Sequence, residues 1–144
     1  MAGVWSDESK LARWLDVELA ALEAWAELGA VPADAVAEIR KHARPPSAER
    51  VTELERETHH DVAAFVDAVA EQLGDEGRWV HHGLTSSDVV DTAQALQMRE
   101  ACALILKNID ALLVAVRKRA EEHRRTPMIG RTHGVHAEPM TFGL

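Results

Sequence analysis

Six of the eight histidines in this chain fall in three short clusters: His59 with His60, His81 with His82, and His133 with His136. Imidazole is the side chain best suited to give or take a proton near neutrality, so such clusters at element boundaries point to acid–base work. Each has polar company. Asp61 follows His60, the hydroxyl run Thr85, Ser86 and Ser87 follows His81 and His82 across Gly83, and Arg131 and Thr132 lead into His133. Thr85 and Asp88 have capping-box spacing, which marks a helix start. The free amides and positive dipole end of that start, with the hydroxyls beside it, make a seat for a carboxylate or phosphate. The combination suggests proton transfer on a small anionic substrate. The plainer alternative is that this run only caps a long helix, with its histidines packed or solvated.

Two other readings compete. His59, His60 and Asp61 could stand for the His-Asp pair of a helical metal-dependent phosphohydrolase, and His133 with His136 could offer two nitrogens. Adjacent helical residues point in different directions, however, and no acid completes an HExxH pattern, so no metal ligand is assigned. A helical oligomerisation module without catalysis is the other alternative, and it leaves the histidine clusters unexplained.

The elements that must position these residues read as all-α. At 144 residues and 47% apolar content the chain can bury a core. Its 24 acids against 16 bases give a net charge of -8, which argues against a nucleic-acid partner, because phosphate-backbone affinity comes mainly from Lys and Arg. The one cysteine, Cys102, falls on an apolar helical stripe and is expected to be a small core residue in a reducing compartment. No run approaches the length of a membrane span and the first residues lack a signal-peptide pattern, so a cytoplasmic protein without a membrane partner is expected.

Apolar spacing predicts a helix from Ser6 to Leu28 ending at Gly29, a second from Ala33 to about Ala43 between Pro32 and Pro45, and a third capped by Ser47. Val62, Phe65, Val66, Val69 and Leu73 give the next helix a buried face before Gly74. Ser86 to Arg124 then reads as one long helix of roughly 60 Å at about 1.5 Å per residue. Met98, Cys102, Ile105, Ile109, Leu112 and Val116 form a bundle-type seam along it, which must be covered by other helices or other subunits. After Pro127 a loop with two glycines and two histidines is expected, then a helix with Pro139 in its first turn, and no strand. The ending at Leu144 looks truncated. The division expected is residues 1–84 as an N-terminal helical domain and 85–144 as the start of a central long-helix bundle.

The runs HHD at 59–61, HHGLTSSDVVDTA at 81–93 and GRTHGVHAEPMTFG at 130–143 resemble the adenylosuccinate lyase family of the fumarase and aspartase superfamily, and the similarity runs through nearly the whole chain. The resemblance implies a homotetramer of long helices with active sites shared between subunits. It implies elimination of fumarate from adenylosuccinate, giving AMP, and from the succinylated carboxamide ribotide of purine synthesis, with no cofactor. By position, His133 corresponds to the family's acid–base histidine and Thr132 to a substrate contact. His60 and Asp61 correspond to the His-Asp pair near the leaving group, Thr85 and Ser86 to the pair that holds an anionic group, and His81 to a phosphate contact. The chain departs from the family at His59, where arginine is common, and in having no Arg-Tyr pair near its start. The family's catalytic serine loop falls beyond Leu144. The chain is therefore expected to be an N-terminal fragment, inactive alone.

Overall fold

A computed structural model describes residues 1–144 as five α-helices, two short 3-10 segments and one β-hairpin. The helices are α1 (Asp7–Glu27), α2 (Ala33–His42), α3 (Ala48–Thr58), α4 (Asp61–Ala70) and α5 (Ser86–Glu122). Strands β1 (Pro127–Thr132) and β2 (Val135–Thr141) complete the chain. It forms two compact units, Met1–Ala101 and Cys102–Leu144, which divide inside α5.

Local chemistry sets the helix ends in the first unit. Ser6 and Ser47 cap α1 and α3, their hydroxyls accepting from the Ser9 and Arg50 amides at 3.2 Å each. Past the C-cap Leu28, Gly29 takes φ 73 while its amide bonds Ala26 O and that of Ala30 bonds Trp25 O, the Schellman pattern that stops α1. The core gathers the inner faces of these helices around Phe65, which meets Trp14 edge to face at 5.4 Å, with Leu22, Ile39, Val62, Val69 and Val89 also buried. The first turns of α5 belong to this core: Val89 and Ala93 are buried, and Gln97 donates to Val4 O at 2.6 Å.

The second unit is open. Ile105, Ile109, Leu112 and Val116 of the seam, and Leu106 and Leu113 beside it, are exposed. So is Cys102, which corrects its expected place in a core.

The segment expected to be a loop and then a helix is instead the β-hairpin, a correction to the strand-free expectation. His133 and Gly134 form a two-residue connection with φ 49 and 75, the positive values of a type I′ turn, which suits the right-handed twist of the strands it joins. Thr132 pairs with Val135 and Arg131 with His136. A register shift between Ile129 and Arg131 then sets Ala137 and Glu138 against the single Gly130, a bulge, and Pro139 lies opposite Ile129 just beyond it. Pro139 therefore serves as a residue of an extended edge rather than as a helix start. Phe142 closes the unit by meeting the His123 ring at 5.0 Å, while its amide bonds Thr126 O.

Candidate active site

In the first unit the starts of α4 and α5 come together. His60 is the N-cap of α4, and its Nδ1 accepts from the Ala63 amide at 3.3 Å. That bond needs the Nδ1 lone pair, so in this arrangement the ring proton is on Nε2, which lies 3.2 Å from Ser86 Oγ and donates to it. The Ser86 hydroxyl hydrogen is thereby left to point elsewhere. His60 and Ser86 are 26 residues apart in sequence. Their contact joins the HHD run to the hydroxyl run and sets two helix N-termini, each favouring negative charge, beside one another.

The neighbouring acids are partly committed. Asp61 accepts from the Val62 amide at 2.8 Å and lies 3.5 Å from His60 Nδ1. Asp88 reaches back to the Thr85 amide at 2.8 Å, which is the acid half of the expected capping box. With that amide taken, the hydroxyls of Thr85 and Ser86 and the amides of Ser86 and Ser87 are the donors left to the seat. His59 is in the left-handed region at φ 53 as the C-cap of α3, and it is exposed.

His81 is held differently. It too has positive φ, at 66, and its amide and Nδ1 both meet Glu18, at 2.8 and 2.7 Å. Two residues on, Gly83 has φ 70, and a Cβ there would come within 2.6 Å of Trp25 Cζ2, so both conformation and space require glycine. His82 meets Trp25 and Trp79 edge to face at 5.6 and 5.7 Å.

The remaining candidates, Thr132 and His133, lie in the second unit, on the hairpin. Thr132 ends β1, His133 is the first residue of the turn, and both are exposed, as are Arg131 and His136. No three of the His, Cys, Asp and Glu side chains converge to hold a metal ion, and no helix is long and apolar enough to cross a membrane. Glu18 is the site residue that sequence reading missed. Its signal was an acid on the apolar face of α1.

A helical body that joins the histidine-capped start of α4 to the hydroxyl-bearing start of α5, with a further histidine displayed on a hairpin, is matched along its whole length: residues 1–144 fit the family model described as Lyase, and the chain belongs to that family. Among its relatives, the adenylosuccinate lyase of Streptococcus mutans is 54% identical over 144 residues, and that of Aquifex aeolicus is 53% identical over 146. That of Bacillus subtilis is 49% identical over 144 residues. In each case the match takes in 100% of this chain and 33% of the relative, so the chain spans about a third of the length of the curated relatives it matches. The resemblance drawn from the motifs is thus borne out, as is a mainly helical fold. Among solved structures, a fumarate lyase from a Mesorhizobium species superposes with a TM-score of 0.89 at 35% identity, covering 99% of this chain and 34% of that one. The 3-carboxy-cis,cis-muconate lactonizing enzyme of Pseudomonas putida superposes with a TM-score of 0.91 at 32% identity, covering 99% and 34%.

Proposed function

We propose that these residues serve an adenylosuccinate lyase, which eliminates fumarate from adenylosuccinate to give AMP and from the succinylated carboxamide ribotide in purine synthesis. The observation that carries the reading is the contact of His60 with Ser86. It unites two of the three motifs in one polar patch at paired helix starts, suited to an anionic substrate. In the reaction the proton beside a succinyl carboxylate is removed, the carbon–nitrogen bond breaks as the double bond of fumarate forms, and the departing nitrogen gains a proton. Thr85 and Ser86 hold an anionic group, His60 and Asp61 orient the substrate near the leaving nitrogen, and His81 meets the phosphate. Thr132 contacts substrate, and His133 shares the acid–base step with a serine beyond Leu144. His59 adds a donor where the family often has arginine. No cofactor enters.

We place the enzyme in the cytoplasm as a homotetramer, with residues 85–144 opening a central helical bundle and active sites shared between subunits. The exposed seam of α5 supports this arrangement. The test uses the protein at the length of its relatives. Incubated with adenylosuccinate, it should lower the ultraviolet absorbance as fumarate is released, keep that activity in excess chelator, and scatter light as a tetramer. Activity abolished by chelation would favour a metal-dependent hydrolase, and an inactive oligomer would favour a purely structural module.

A further inference from the structure

The buried face of α1 is interrupted at one position. Leu11, Trp14, Leu15 and Leu22 are buried, and helical spacing puts residue 18 among them, where packing alone favours another leucine. The residue is Glu18, only 1% exposed. A carboxylate withdrawn from water is costly unless its oxygens are met. Both are: Oε2 accepts from the His81 amide and Oε1 meets His81 Nδ1. A carboxylate only accepts, so Nδ1 carries a proton in this contact.

Securing the strained backbone at His81 would need only the first bond. The second takes hold of the ring. With Nδ1 turned inward, the geometry of imidazole sends Nε2 to the opposite edge, and the side chain remains 23% exposed. This edge lies four residues before Thr85, where α5 is about to begin.

We propose that Glu18 is a positioning residue for substrate binding: from inside the core it locks His81 with Nδ1–H inward, so that the ring, carrying both protons against the buried carboxylate, presents Nε2–H to an anionic oxygen of the substrate. Glu18 itself touches no substrate. The inference rests on the lyase reading above, in which His81 contacts the phosphate.

Two substitutions in the complete enzyme test it. Glu18→Gln keeps the shape and can still accept from the His81 amide, but its NH2 then donates to Nδ1, which reverses that bond, removes the buried charge and leaves a neutral ring to face the anion. Glu18→Leu restores the apolar stripe and releases the ring. Each should raise KM about tenfold, the worth of a hydrogen bond to a charged group, with little change in kcat. Combined with His81→Gln, Glu18→Gln should add no further loss, because one residue acts through the other. An unchanged KM in both single variants, or additive losses in the double variant, overturns the proposal. A purely structural role would lower Tm and leave KM alone. Failure of the wild-type protein to release fumarate counts against the lyase reading instead. The positioning role is then decided by the crystal structure of Glu18→Leu, where a His81 ring that has left its place supports it and an unmoved ring overturns it.

Discussion

In the Met1–Ala101 unit His60 caps α4 through one ring nitrogen and reaches Ser86 through the other, and His81 is gripped by a buried carboxylate. In the Cys102–Leu144 unit His133 stands exposed at the tip of a two-residue turn, held by its backbone alone. Apolar burial follows the same divide, because the helices of the first unit cover one another while the seam of the second is bare. Groups that recognise a substrate gain from being oriented before it arrives, since the cost of ordering them is met during folding. A group that exchanges a proton needs access first, and its orientation can be completed by whatever covers it.

The largest effect that could break this contrast is at His133. In the complete enzyme, His133→Ala should lower kcat by about 10²- to 10⁴-fold, the usual worth of an acid–base group, in the fumarate absorbance assay. A near-normal rate would move proton transfer away from the hairpin. Ser86→Ala comes next. It should raise KM by roughly five- to tenfold, with kcat nearly kept, because it removes one donor to an anion. A loss confined to kcat would make the helix-start cluster catalytic rather than recognitional.

The smallest effect concerns how α4 is anchored. Arg50 of α3 bonds both oxygens of Glu71, the C-cap of α4, and this hydrogen bonding holds the Glu71 carboxyl below its usual range. A depressed carboxyl contributes stability that is present above its unfolded pKa and is lost as pH falls through the folded value. Both partners are well exposed, so Glu71→Gln should lower Tm by only about a degree or two at neutral pH. The gap from wild type should close as the solution is acidified below the ordinary carboxylate range. A gap that widened in acid would mean that the glutamate acts through something other than Arg50.

The helices were legible because their signals are local. Ser6, Pro32 and Ser47 mark starts and Gly29 a stop, and α5 ends at Glu122, two residues before the expected Arg124. The seam was legible from its spacing, and its exposure agrees with the need for a cover from elsewhere. The hairpin was not legible. Its strands are short, Gly130 breaks their alternation with a bulge, and Pro139 suits a strand edge as well as a helix start. Among site residues, the histidine and hydroxyl runs could be found by type and grouping, whereas the pairing of His60 with Ser86 and of His81 with Glu18 spans 26 and 63 residues. Partnerships of that reach are products of tertiary packing, and one sequence carries only their components. Glu18 did leave a trace, as a charge where the apolar face called for leucine.

The turn at His133 sets foldability against function. A type I′ turn favours asparagine before glycine, because asparagine tolerates the left-handed region better than most residues. Histidine at that place gives up some turn stability to put an imidazole at the tip. His133→Asn should therefore yield a hairpin at least as stable, seen as an equal or higher Tm, in an enzyme that has lost its proposed proton carrier. A selection for heat tolerance alone would drift toward that asparagine and, on the proposed role of His133, discard the reaction.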